Sequence, residues 1–217
     1  MVYFSVRFAA LMYLIHLLCI TAVLTDVTAA EAKGGASKWF ETEQTKVRLL
    51  SATHGIGDTN QVLLGLQFKL KDDWKIYWRT PGDAGFPPSL DWGNSINLKN
   101  TKFLWPVPTR FQVLGLQTIG YKKEVIFPII ATVLNPKKPL LLNAELNYLT
   151  CDEICIPYKT RLTLDLPASN NSATKFSQII GEFFSKIIMS GCSKNKLLVL
   201  LKRSTSLSIS SSGRAIC

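Results

Sequence analysis

Metal ligands and catalytic histidines are scarce in this 217-residue chain, which contains two histidines and five cysteines. His16 lies in an N-terminal apolar run, so His54 is the one histidine in the remainder of the chain. A zinc site usually needs four ligands at paired spacings, and a Cys-His hydrolase needs a third group that orients its histidine. The sequence shows neither pattern and no phosphate-binding or dinucleotide-binding loop. It therefore predicts a protein without a metal or another cofactor.

Acidic residues are also comparatively few, with 15 Asp and Glu against 25 Lys and Arg and a formal net charge of +10. The positive charge is scattered in isolated pairs such as Lys122-Lys123 and Lys137-Lys138. Such a distribution is typical of a solvated basic surface, whereas nucleic-acid binding favours a clustered basic patch. The sequence therefore predicts no nucleic-acid partner.

Long apolar runs are limited to one, which covers residues 8–24 and follows the positive charge of Arg7. Small residues at positions 28–32 then provide a cleavage site of the kind found after secretory signals. We therefore interpret residues 1–30 as a signal peptide and expect export, with an uncleaved N-terminal anchor as the alternative. Cleavage would remove Cys19 and leave four cysteines in the mature chain: Cys151, Cys155, Cys192 and Cys217.

The most informative of these cysteines are Cys151 and Cys155, which lie four positions apart. A disulfide needs Cα atoms roughly 4.4–6.8 Å apart, whereas four steps along an extended strand cover about 13 Å. The chain must therefore turn back between the two cysteines if they are to bond. Residues 143–148 and 161–166 both alternate apolar and polar side chains, which predicts a hairpin of two half-buried strands with the cysteines at its tip.

The role of this pair is open between a structural staple and a redox-active dithiol. In an oxidising compartment a close pair forms a disulfide unless something reduces it. A loop this short removes little entropy from the unfolded chain, which weakens the interpretation as a staple. Asp152 and Glu153 between the cysteines disfavour a thiolate, so a strongly oxidising site is not indicated. Spacing alone slightly favours the staple, but a redox pair in this setting is more suited to receiving electrons and passing them on than to attacking disulfides in bulk solution.

Further strands are predicted between residues 45 and 166, separated by segments rich in glycine and proline. They cover residues 46–52, 62–70, 74–79, 101–105, 113–119 and 124–133. Because no helix-length periodicity lies between them, we expect an all-β fold, an antiparallel β-sandwich. Four tryptophans are expected to pack in its core or at its ends: Trp74, Trp78, Trp92 and Trp105.

The composition changes after Pro167. Residues 168–173 form a polar linker, and apolar residues at helical spacing then predict a short helix between Phe176 and Ile187. From Ser190 onward the chain is rich in serine and lysine and is predicted to be disordered. We therefore assign residues 168–217 to a linker, a short C-terminal helix and a disordered tail.

Five ordered motifs resemble one protein family. They read WKIYWRTPGDAGFPP at residues 74–88, WPVPTRF at 105–111, GY at 120–121, FP at 127–128 and YLTCDEICIP at 148–157. These motifs are similar to those of the N-terminal periplasmic domain of DsbD-type thiol:disulfide interchange proteins, especially the suppressor-of-copper-sensitivity branch. The resemblance extends from about residue 47 to 167 and places the domain at residues 39–167.

The resemblance implies an immunoglobulin-like β-sandwich in the periplasm, with Cys151 and Cys155 as its catalytic redox pair and protein-disulfide reductase as its activity. Such a pair takes electrons from a membrane domain and passes them to thioredoxin-fold periplasmic proteins, such as disulfide isomerases or cytochrome-maturation proteins. Family members shield the pair with a cap loop that carries an aromatic residue. Residues 82–86, with Asp83 and Phe86, are the expected cap loop.

Family members usually continue into a multi-helix membrane domain, whereas this sequence ends at Cys217. The resemblance therefore implies a membrane electron donor on a separate chain. Two alternatives stay open at this point. One is a truncated, inactive remnant, and the other is an immunoglobulin-like binding module whose disulfide is purely structural.

Overall fold

The computed structural model describes residues 35–113, 115–168 and 171–187. The predicted signal peptide and the predicted disordered tail from Ser190 lie outside these residues. Among the helices within them, none has the length and apolar character needed to cross a membrane.

The described part of the chain folds into strands that form two antiparallel sheets, followed by one short helix. The strands are β1 (Phe40–Glu41), β2 (Thr45–Ser51), β3 (Gln61–Leu70), β4 (Lys75–Gly82), β5 (Ser89–Asp91), β6 (Leu98–Phe103), β7 (Thr109–Val113), β8 (Leu116–Lys122), β9 (Glu124–Val133), β10 (Leu140–Cys151) and β11 (Cys155–Leu166). The helix, α1, comprises Ser177–Ser185. The predicted all-β, immunoglobulin-like sandwich with a short C-terminal helix is confirmed.

One sheet has five strands in the order β1-β2-β3-β9-β6, and the other has six. The second sheet runs β11-β10-β4-β8-β7, and β5 pairs with β10 beside β4. The β10–β11 pair is in register from Leu140 opposite Leu166 to Cys151 opposite Cys155. This long ladder fixes the two cysteines at one end of the six-stranded sheet.

The inner faces of both sheets supply the apolar core, because side chains alternate between the two faces of each strand. Phe68 of the first sheet and Tyr148 of the second are completely buried, and their rings meet edge to face with centroids 5.1 Å apart. The four tryptophans predicted to lie in or near the core do pack against it.

The prediction of one strand over residues 113–119 is wrong. The chain reverses there, and Val113 of β7 pairs with Leu116 of β8 across a two-residue turn. Gly115 adopts φ of +81°, a conformation that glycine tolerates best and that such tight hairpins require. Apolar residues continue through this turn, so the sequence pattern did not reveal it. β1 and β5 were missed because two or three residues are too few to show a period.

The predicted C-terminal helix is confirmed, and it covers the outer face of the five-stranded sheet. Ile180 of α1 and Phe176, directly before the helix, are buried in a cluster with Leu50 and Ile126 of the sheet. Beneath them, a Cβ added to Gly65 would lie 2.8 Å from Ile126 and 3.2 Å from Ile180. The absence of a side chain at Gly65 therefore lets the helix approach the sheet closely.

Candidate redox site at the β10–β11 hairpin

A disulfide joins Cys151, the last residue of β10, to Cys155, the first residue of β11. Their Cα atoms are 4.1 Å apart, and the three residues between them close the hairpin. Within this turn the Asp152 N–H donates a hydrogen bond to the Ile154 carbonyl, at 3.0 Å. The predicted reversal of the chain between the two cysteines is confirmed.

The two cysteines differ sharply in exposure. Cys151 is completely buried, whereas Cys155 is exposed. Ile154, directly before Cys155, is also exposed, by 62%. An incoming sulfur atom therefore reaches Cys155 and not Cys151.

Cys151 belongs to a small cluster on the outer face of the six-stranded sheet. It is buried with Tyr77 and Leu149, and Phe111 packs against them. Strand pairing explains the grouping, because Cys151 lies opposite Lys75 and residues two apart on a strand share a face. Lys75 and Tyr77 of β4 therefore lie on the same side of the sheet as Cys151, away from the main core.

Tyr77 connects this cluster to the exposed cysteine. Its hydroxyl lies 4.0 Å from the Cys155 sulfur, and its ring is tilted against Phe111 with centroids 6.5 Å apart. Burial raises the pKa of Tyr77 above its ordinary value, so the phenol keeps its proton at neutral pH. It is therefore a potential hydrogen-bond donor to the Cys155 sulfur.

The expected cap loop lies against Tyr77. Asp83 holds the loop on β8, since its N–H donates to the Gln117 carbonyl at 2.9 Å and its carboxylate accepts the Gln117 N–H at 3.0 Å. Gly85, with φ of +96°, lies so close to the Tyr77 ring that an added Cβ would overlap it. Phe86 is 42% exposed. The structure thus brings the loop to the tyrosine that faces Cys155.

The site also contains a buried lysine that the sequence did not single out. The Lys75 side chain is 7% exposed, and its ammonium lies 3.2 Å from a carboxylate oxygen of Asp152. The same ammonium lies 6.0 Å from the centre of the Phe111 ring. Strand periodicity could have placed Lys75 and Tyr77 on one face, but the pairing of β4 with β10 is needed to place them beside Cys151.

No three His, Cys, Asp or Glu side chains among the described residues form a group that could hold a metal ion. Cys192 and Cys217 lie outside these residues. The chemistry that the described site supports is thiol-disulfide exchange, because it combines an exposed sulfur, a buried sulfur and nearby polar groups.

Comparison with known proteins agrees with this chemistry. The sequence matches the family model of the N-terminal domain of the thiol:disulfide interchange protein DsbD over residues 46–167. The structure is similar to the N-terminal periplasmic domain of ScsB from Proteus mirabilis, with 26% identity and a TM-score of 0.59. That alignment covers 73% of this chain and 61% of the ScsB chain, so the chain spans about three fifths of that relative.

A weaker similarity is to the N-terminal domain of Neisseria meningitidis DsbD in the reduced form, with 17% identity and a TM-score of 0.31. It covers 59% of this chain and 90% of the other. Among curated proteins, none matches the sequence significantly.

Proposed function

The chain belongs to the family of DsbD N-terminal domains, and we propose that it acts as other thiol-disulfide exchange proteins do. In this proposal it passes electrons to partner proteins through Cys151 and Cys155. The observation that carries the proposal is the disulfide at the open end of the β10–β11 hairpin, with one sulfur exposed and one buried. In this arrangement a partner can attack the sulfur of Cys155, while the sulfur of Cys151 is accessible only from within the domain.

Reduction of the domain begins when a thiolate of the electron donor attacks the sulfur of exposed Cys155. The disulfide breaks, Cys151 leaves as a thiolate, and a mixed disulfide joins Cys155 to the donor. A second donor thiol then displaces Cys155 from that bond. The donor leaves as a disulfide, and the domain has gained two electrons and, once both thiolates are protonated, two protons.

Transfer to an acceptor runs in the opposite sense. The Cys155 thiolate attacks the acceptor's disulfide, and one acceptor sulfur leaves as a thiolate. Cys151 then attacks the sulfur of Cys155, which releases the second acceptor sulfur and restores the Cys151–Cys155 disulfide. The acceptor leaves as a dithiol. Cys155 thus makes the intermolecular bond in both directions, because Cys151 is inaccessible.

The loop at residues 82–86 acts as the cap in this proposal. Asp83 anchors it to β8, while Gly85 and the buried Tyr77 ring screen one side of the site. Phe86 and Ile154 are exposed apolar side chains on the cap and the hairpin tip, and they provide contact area for a partner. Because Cys155 is already exposed, displacement of the loop would uncover the cluster of Tyr77 and buried Cys151.

The partners that fit are thioredoxin-fold proteins of the periplasm, including disulfide isomerases and cytochrome-maturation proteins. Electrons would come from a membrane electron donor. Export rests on the apolar segment at residues 8–24, and a role in copper tolerance rests on the resemblance of the sequence motifs to the suppressor-of-copper-sensitivity branch.

The reduction potential of the Cys151–Cys155 pair tests the proposal. We would equilibrate the folded protein with glutathione buffers and count free thiols by trapping. A potential of roughly −270 to −180 mV, the range from thioredoxin to disulfide isomerase, is expected for an electron carrier. A potential below about −300 mV, with reduction only on unfolding, would identify a structural bond and contradict the proposal.

A further inference from the structure

Lys75 brings a positive charge next to the buried cysteine. It lies directly opposite Cys151 in the antiparallel pairing of β4 with β10, and both residues are buried, Lys75 at 5% exposure and Cys151 at 0%. Residues opposite each other in such a pair have side chains on the same face, with Cβ atoms about 5 Å apart. Cys151 therefore lies beside a lysine in a setting that contains little water.

Three contacts hold this lysine in place. Its ammonium pairs with Asp152 at 3.2 Å, and it lies 6.0 Å from the centre of the Phe111 ring. The Thr150 hydroxyl donates to the Lys75 carbonyl at 2.9 Å and fixes β4 against β10. Burial of an ammonium costs free energy, and a partly exposed carboxylate offsets that cost only in part. The arrangement leaves positive charge available to a further anion at the same place.

We infer that Lys75 is the countercharge of the Cys151 thiolate, and that Asp152 limits its effect, so that this ion pair sets the reduction potential of the disulfide. The inference rests on the function proposed above. A lysine near a cysteine favours the thiolate over the thiol, and stabilisation of the reduced form makes a disulfide more readily reduced.

Lys75 is expected to act in the two steps of the exchange in which Cys151 is a thiolate. When the domain receives electrons, Cys151 is the leaving group as the bond to Cys155 breaks, and Lys75 stabilises the departing thiolate. When the domain donates electrons, Cys151 is the nucleophile that resolves the mixed disulfide, and Lys75 keeps more of it ionised. Lys75 itself neither gains nor loses a proton or an electron in either direction.

The other charged or titratable groups around Cys151 are either exposed or neutral. Lys122 of β8 lies opposite Lys75 and its ammonium is also 6.0 Å from the centre of the Phe111 ring, but its side chain is exposed. Glu153 is exposed, and the Tyr77 phenol stays neutral because burial raises its pKa. Water screens exposed charges strongly, so Lys75 and Asp152 are expected to dominate.

Two substitutions with opposite predicted effects test the inference. Lys75→Met keeps the apolar stem and removes the charge, so the equilibrium constant for reduction by glutathione should fall about tenfold, equivalent to about 30 mV. Asp152→Asn removes the limiting negative charge, so the same constant should rise severalfold. In the reduced proteins, the midpoint of the ultraviolet thiolate titration should move to higher pH for Lys75→Met and to lower pH for Asp152→Asn.

Controls separate charge from structure. Lys75→Arg keeps the charge and should stay close to the wild type, while Lys122→Met should change the constant by less than about twofold. Circular dichroism and thermal unfolding of the full chain verify folding, and Asp152→Asn, in the turn, gives a result even if Lys75→Met fails to fold.

The outcomes distinguish this inference from the function on which it rests. If Lys75→Met and Asp152→Asn change the potential in the same direction, or not at all, while the wild type exchanges with glutathione, the inference alone is overturned. If the wild-type disulfide resists glutathione until the protein unfolds, both fail. The inference is supported if Lys75→Met and Asp152→Asn change the reduction potential in opposite directions and Lys122→Met leaves it unchanged.

Discussion

The two sheets of this domain bury small clusters on their outer faces, but under different covers. On the five-stranded sheet the cover is α1, whose Ile180 packs on Leu50 and Ile126 together with Phe176 from directly before the helix. On the six-stranded sheet, at the disulfide, Phe111 packs against Tyr77 and Cys151, and Gly85 of the loop lies on the Tyr77 ring. Both clusters are shielded from water, one by a regular element and the other largely by a loop and an edge strand.

A helix and a loop differ in the free energy needed to remove them from the cluster that they cover. A helix satisfies its own backbone and packs a whole face, so its removal costs the contacts of several side chains. Asp83 holds the loop to Gln117 through two hydrogen bonds, and loops of this kind open at lower free energy than packed elements. The cluster under the helix is therefore expected to open less readily than the cluster of Tyr77 and Cys151, which lies beneath a loop and an edge strand.

The strongest test of this division is removal of the sulfur atoms. Cys155→Ser should abolish exchange with a thioredoxin-fold acceptor, because the exposed nucleophile is lost. Cys151→Ser should instead trap a mixed disulfide through Cys155, because the resolving sulfur is missing. Gel mobility after thiol trapping would show both results, and unfolding curves should show an intact fold. Equal trapping by both variants would contradict the assignment of Cys155 as the entry point.

A substitution in the helix should lower the stability of the fold and leave the redox properties of the disulfide unchanged. Ile180→Ala removes a completely buried side chain, and we expect the free energy of unfolding to fall by about 3 kcal/mol. The reduction potential of the disulfide should not change, because the helix lies on the other sheet. Urea unfolding and glutathione equilibration measure the two quantities. A change in potential would show that the two covers are coupled.

The smallest predicted effect concerns the loop itself. Gly85→Ala combines positive φ with overlap on the Tyr77 ring, so the loop should be displaced and alkylation of buried, reduced Cys151 should become severalfold faster. Gly115→Ala is a matched control, since Gly115 also has positive φ but an added Cβ would meet no atom within 4 Å. Both variants should lose about 1 kcal/mol of stability from backbone strain. Equal alkylation rates in the two variants would argue against a shielding role.

Local alternation made much of this fold predictable. Residues 124–133 were predicted with the bounds that β9 has, and the cysteine hairpin was expected where β10 meets β11. In the hairpin, apolar and polar residues alternate because one face of the strands is buried, whereas β9 is buried on both faces and forms a nearly continuous apolar run. The turn before Gly115 was missed because apolar residues continue through it.

The electrostatics of the site could not be predicted in this way. Lys75 and Asp152 are 77 positions apart in the sequence and meet because β4 pairs with β10. From sequence alone, Asp152 was counted as a charge that disfavours a thiolate. In the structure its carboxylate faces an ammonium, so the local balance of charge differs from that of the five-residue motif. Pairing between distant strands leaves no local pattern from which it can be predicted.

The position of the disulfide at the end of its ladder has a mechanical consequence. Below Cys151 and Cys155, the two twelve-residue strands are paired all the way to Leu140 and Leu166. Breaking the sulfur–sulfur bond therefore frees a three-residue turn and leaves the backbone hydrogen bonds of the hairpin in place. Under the proposed function, storage of two electrons is thereby uncoupled from folding, and the hairpin keeps its paired strands in both redox states.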